Sequence, residues 1–268
     1  MFPLISNKNL PHVEKKILSY LKPRELASAK LVSKTWCEKA RSYLILDYLL
    51  WAQKEGKIPL IHAARMGYED VVAFLIQDNN LNINEHEHSG RHNHGFTALI
   101  EAIRYGRYGR TRIVQLLLGR EDVDVTAADD DGSTPLYWAA RLRRETIVKL
   151  LVERRDVPVN VTNKHGETAL YVAVMHGHEG CVKQLLQRRD IAVNTTTGFF
   201  KDTPLIMAAT LGLAIAAELL LEHPGIDLNI NCRGGTALFH AKRMLVSRKG
   251  DDENKRKIIS MLESRDAK

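Results

Sequence analysis

Two hydrophobic patterns alternate along most of this chain. The first is a short run: Pro59-Leu60-Ile61-His62-Ala63-Ala64, Thr97-Ala98-Leu99-Ile100-Glu101-Ala102, Thr134-Pro135-Leu136-Tyr137-Trp138-Ala139-Ala140, Thr168-Ala169-Leu170-Tyr171-Val172-Ala173, Thr203-Pro204-Leu205-Ile206-Met207-Ala208-Ala209 and Thr236-Ala237-Leu238-Phe239-His240-Ala241. Its leucines stand at 60, 99, 136, 170, 205 and 238, in steps of 39, 37, 34, 35 and 33. Thr ahead of Pro or Ala predicts a helix N-cap with a favourable first turn. The alanines predict a thin helix that neighbours can approach closely. The second pattern starts at Val72, Val114, Val148, Val182 and Ala217 and ends at Asn84, Thr126, Asn160, Asn194 and Asn229. Apolar residues at helical spacing, such as Ile147, Val148, Leu150 and Leu151, predict a second helix, followed by a short extended piece such as Asp122 to Val125. Gly67, Gly106, Gly177 and Gly212 stand where the first helix must stop in a left-handed turn, and Arg143 takes that place in the third copy. Asp131-Gly132 and His165-Gly166 predict tight turns between copies.

No single copy can bury its apolar face alone, so copies must stack. The prediction is an all-α solenoid of about six helix-turn-helix repeats. The pattern Gly-x-Thr-Pro-Leu-x-x-Ala-Ala, at a period near 33, resembles the ankyrin repeat. The resemblance covers 57–268, with repeats at approximately 57–94, 95–130, 131–164, 165–200, 201–233 and 234–268. Endings such as Arg120-Glu121-Asp122-Val123-Asp124-Val125 are similar to ankyrin arrays common in fungal proteins. The copies depart from the pattern in three places. The hairpin from Asn84 to Thr97 is lengthened, extra residues lie within 106–110, and a charged insertion runs from Ser247 to Lys255 before a short closing helix.

Residues 1–50 follow another rule. Leu10-Pro11, Ile17-Leu18-Ser19-Tyr20-Leu21, Pro23-Arg24-Glu25-Leu26 and Leu31-Val32-Ser33-Lys34-Thr35-Trp36 predict three short helices, too few to bury much surface alone. This segment resembles an F-box, although the step from Leu10 to Ile17 is one residue short. The resemblance implies docking on the linker subunit of an SCF-type cullin ubiquitin ligase. Leu10, Pro11, Ile17, Leu21, Pro23, Leu26, Val32 and Trp36 match the motif, either as linker contacts or as the module's core. Residues 51–56 read as a linker into the array. A plain helical cap on the first repeat is the rival reading.

Composition narrows the function. No run of about 18 apolar residues is present, so the sequence predicts no membrane span. The first nine residues lack the pattern of a secretory signal. Three scattered cysteines argue against disulfides or a zinc site and favour the cytosol or nucleus. The net charge of +7 allows a nucleic-acid partner, but the basic residues are dispersed, which argues against one. No nucleophile, phosphate-loop or metallohydrolase motif occurs, so neither catalytic residues nor a cofactor is expected. His86, His88, His92 and His94 crowd into the lengthened hairpin, where they read as a polar loop rather than a metal site.

In ankyrin arrays the hairpin tips and inner helices line a groove that binds protein targets. Carried onto this chain, the resemblance implies Phe96, Arg104, Tyr105, Ser133, Arg141, Leu142, His165, Glu167, Met175, His176, Phe199, Phe200, Asp202, Thr210 and Leu211. Phe199 and Phe200 are the expected aromatic anchors. The function read from sequence is therefore target recognition for a ubiquitin ligase, with an ankyrin scaffold or inhibitor as the alternative.

Overall fold

In the computed structural model, the described residues are 45–87, 94–105, 110–197, 201–247 and 253–266. The chain divides into two compact units, Met1–Pro59 and Leu60–Lys268. In the first unit the description begins with a helix over 45–54 (α1), in which Tyr48 and Trp51 are ring neighbours at 5.9 Å. The eight matched positions from Leu10 to Trp36 lie outside the described residues.

The rest is six helix pairs: α2 (Pro59–Met66) with α3 (Glu69–Leu75), α4 (Ala98–Arg104) with α5 (Thr111–Leu118), α6 (Pro135–Arg141) with α7 (Glu145–Val152), α8 (Ala169–Met175) with α9 (Glu179–Leu185), α10 (Pro204–Leu211) with α11 (Ala214–Glu222), and α12 (Ala237–Ser247) with α13 (Glu253–Asp266). Described residues contain no strands, only isolated bridges that close hairpins, as at Glu87 and Phe96. No helix among them is long and apolar enough to cross a membrane.

From the second repeat on, each inner helix follows a threonine. Thr97, Thr134, Thr168 and Thr203 accept the N–H of the residue three positions on, satisfying a donor the helix cannot. The leucine that follows is buried in the first five repeats, as is every alanine of the Ala pairs. With only methyl groups there, inner helices pack side by side: α4 on α6, α6 on α8, α8 on α10 and α10 on α12. α10 is apolar all round and buried from Pro204 to Ala209, as fits a helix covered on several sides.

Within a pair the chain reverses through a left-handed residue, with φ of +83° at Gly67, +67° at Gly177 and +74° at Gly212. The amide of the next residue then returns to the inner helix, as Tyr68 to the Ala63 carbonyl and His178 to the Ala173 carbonyl.

Long side chains tie neighbouring repeats together. Arg110 donates to the Met66 carbonyl, Arg144 to those of Ile103 and Arg104, and His178 Nε2 lies 3.1 Å from that of Arg141. Each meets the C-terminal end of the preceding inner helix, where carbonyls lack intrahelical partners and the dipole favours a donor. Behind the outer helices, Arg120, Arg154 and Arg188 grip Asp122, Asp156 and Asp190 through both oxygens. They also donate to carbonyls of the preceding repeat, such as Ile76, Leu118 and Arg154.

Candidate binding groove

The groove wall begins at the hairpins. Asp129 Oδ1 accepts the amides of Asp131 and Ser133 at 3.0 and 2.8 Å, and Asn163 Oδ1 accepts those of His165 and Glu167 at 3.0 and 2.9 Å. These side chains mimic backbone and fix the tip. Adjacent tips are joined, because Asp130 N–H donates to the His94 carbonyl and Lys164 N–H to that of Asp131.

The other carboxylate oxygen of Asp129 accepts the Trp138 indole N–H at 2.7 Å. Trp138 is thereby locked at the centre of a cluster. Phe96 meets it edge-on at 5.9 Å. The Arg104 guanidinium lies 3.7 Å from the Phe96 ring centre and 4.7 Å from that of Trp138, and Arg141 lies 5.2 Å from Trp138. Cation–π attraction holds both arginines against aromatic faces. Burial outweighs the favourable charge of Glu101 and pushes the Arg104 pKa below the ordinary arginine value.

Beside Trp138 opens a cavity of about 240 Å³, lined by Asp131, Ser133, Tyr137, Trp138, Arg141, Asn163, His165, Glu167 and Met175. Glu167 Oε2 accepts the Tyr137 hydroxyl at 2.6 Å and Asn163 Nδ2 at 3.1 Å. Burial and then the Glu167 carboxylate raise the Tyr137 pKa, so its hydroxyl stays protonated.

The structure brings Ser133, Arg141, His165, Glu167 and Met175 together around that cavity. Arg104 stands behind it on Trp138. Tyr105 and Leu211 are 43% and 48% exposed at the ends of α4 and α10. His176 is exposed, and Leu142 and Thr210 are half-buried. The Thr210 hydroxyl is committed to the Ile206 carbonyl at 2.8 Å. Phe199 and Phe200 lie outside the described residues.

Three of the expected groove positions, Phe96, Ser133 and Asp202, are buried. Each immediately precedes a capping threonine and closes its hairpin through its own carbonyl, accepting from Glu87, Asp129 and Thr197. Glu167 closes its hairpin the same way, onto Asn163, and stays half-buried, so the partners of each side chain decide its burial. Phe96 packs under Arg104 and Trp138, and Asp202 is gripped by both arms of the Arg233 guanidinium.

Sequence reasoning passed over Tyr137 and Trp138 as repeat-motif residues and did not single out Asp131 or Asn163. The available signal was Trp138, which stands two positions after the repeat leucine, where the other copies carry His, Glu, Val, Met and His.

Cys181 is buried, and burial pushes its thiol pKa up to about 12. Among the described residues no three His, Cys, Asp or Glu side chains converge as metal ligands; His86 instead lies 2.7 Å from the Gly95 carbonyl. The surface offers shape, aromatic rings and charge, which is the chemistry of binding.

The family model for ankyrin repeats (3 copies) matches residues 36–127 and 107–197, and that for the F-box domain matches residues 8–47. No curated protein matches the chain. Among solved structures, the ankyrin repeat protein EF0377 is similar, with a TM-score of 0.64 and 24% identity over 76% of this chain and 96% of that one. An ankyrin repeat domain from Acinetobacter baumannii AYE gives a TM-score of 0.64 and 24% identity over 77% of this chain and 96% of that one. These likenesses concern the fold alone.

Proposed function

Because the chain belongs to the ankyrin-repeat family and carries an F-box domain ahead of its array, we propose that it is the substrate-recognition subunit of an SCF-type cullin ubiquitin ligase. The observation that carries this reading is the joining, in one chain, of an F-box domain and an array with an aromatic and cationic groove. The F-box binds the ligase linker subunit through residues among Leu10, Pro11, Ile17, Leu21, Pro23, Leu26, Val32 and Trp36. The groove holds the target. The chain transfers nothing itself. Its contribution is proximity, converting an encounter between target and ubiquitin carrier into a reaction within one assembly. This work belongs in the cytoplasm or nucleus.

Pull-down of the full-length protein by the linker subunit tests the reading. The wild type is retained, and the Leu21→Ala, Pro11→Ala double variant is lost from the bound fraction while its helical circular dichroism persists. Failure of the folded wild type to bind returns the N-terminal helices to the role of a cap and the protein to that of a scaffold.

A further inference from the structure

The position five residues after each repeat leucine is the last turn of the inner helix. It reads Arg65, Arg104, Arg141, Met175, Thr210 and Arg243 along the array. The first three repeats therefore present an arginine stripe, and the fourth and fifth a less polar stretch that Leu211 extends.

The arginines of the stripe differ in how far the fold neutralises them. Arg65 contacts both Glu87 and Glu101, the latter at 2.8 Å. Arg104 lies 3.7 Å from that same Glu101, which it shares with Arg65, and Asp129 adds a weaker attraction. Arg141 lies on Trp138 and beside the Tyr137 hydroxyl, and among the described residues no carboxylate stands within ion-pair distance of it. By contrast Arg120, Arg154, Arg188 and Arg233 each hold an aspartate of their own. Arg104 and Arg141 thus both lie against one locked indole, Arg104 partly neutralised and Arg141 with its charge left to whatever enters the groove. A stacked guanidinium keeps its N–H edges for a carboxylate.

The opposite wall limits that charge. Asp131 and Glu167 line the cavity from the hairpin side. A single negative charge on the arginine side is favourable, whereas a dianion, or a second acid on the hairpin side, meets like charge.

We propose that the groove takes an acidic, unphosphorylated segment of its target, with one aspartate or glutamate carboxylate held by Arg104 and Arg141 against Trp138 and an apolar side chain resting on Met175 and Leu211. The assignment rests on reading the groove as the target-binding face, and is independent of the ligase role.

Fluorescence anisotropy with the full-length protein tests it, using three labelled, capped dodecapeptides: one of glutamate and leucine, one with lysine for glutamate, one with phosphoserine for glutamate. The glutamate peptide binds most tightly. Arg141→Ala weakens it about tenfold, the loss expected for one charge-assisted contact. Asp131→Asn strengthens it by a smaller factor, and Arg155→Ala, at an exposed turn, leaves it unchanged. Preference for the lysine peptide, weakened by Asp131→Asn, overturns the acidic assignment while keeping the groove as a binding face. Preference for the phosphoserine peptide overturns the choice of carboxylate. Glutamate-peptide binding that ignores Arg141→Ala, or binding of none of the three peptides, overturns the proposal; the absence of all binding removes the groove reading with it.

Discussion

Arg143 holds a φ of +56° at the point where three other repeats use left-handed glycine. A side chain in that region crowds its own carbonyl, costing about 1 kcal/mol. What Arg143 gains is a contact with Glu145 at 3.4 Å between exposed groups, a class worth little. Arg143→Gly therefore stabilises the array by up to about 0.5 kcal/mol after the entropy glycine adds to the unfolded chain, raising the melting temperature by about 1–2 °C in a calorimetric scan. An unchanged or lower melting temperature contradicts the strain. The misfit was legible in the sequence, because the glycine pattern exposes the exception. The burial of Phe96, Ser133 and Asp202 was not. It depends on the partners each side chain meets in the stack, such as Arg104 over Phe96 and Arg233 on Asp202, and the three residue types share no pattern that announces it.

Between elements, the seam of Arg120, Arg154 and Arg188 couples local charge pairs to the stacking of repeats. The hydrogen bonds from these arginines hold Asp122, Asp156 and Asp190 below the usual carboxylate range, against a small opposing effect of burial. A carboxylate whose pKa is depressed by folding adds stability that is present above its unfolded value, about pH 4, and is lost as pH falls through the lower folded value. Urea melts should thus show stability falling below about pH 4. Arg154→Ala should lose about 1 kcal/mol at neutral pH, where the Leu118 carbonyl loses its donor, and should show a shallower acid decline because Asp156 then titrates normally. An acid decline as steep as that of the wild type contradicts the coupling. The recurring Arg-x-Asp was visible in the chain. Its reach into the preceding repeat required the stacked structure.

Across the whole array, the proposed binding groove lies on the central repeats, and the terminal ones are built differently. The residue after each repeat leucine is buried in the first five repeats, at Ile61, Ile100, Tyr137, Tyr171 and Ile206, while Phe239 is 46% exposed, with no further inner helix beside it among the described residues. His223 stands where the seam would carry its next arginine. Polar and atypical ends are what a one-dimensional stack requires. Helix pairing and repeat number were readable from leucine spacing and the Ala pairs, since these encode contacts that recur at a fixed period. The cavity beside Trp138 was not, because it needs an indole, a hairpin carboxylate and an inner-helix arginine drawn from separate positions.

A receptor that bridges a ligase and a target needs two surfaces that can be occupied together. The most direct measurement is anisotropy of the labelled glutamate–leucine peptide on the full-length protein, alone and saturated with the linker subunit. The account predicts that the linker-bound protein still binds the peptide, with its affinity unchanged and the anisotropy plateau raised by the larger complex. Failure of the linker to bind, or its displacement of the peptide, would contradict a bridging role.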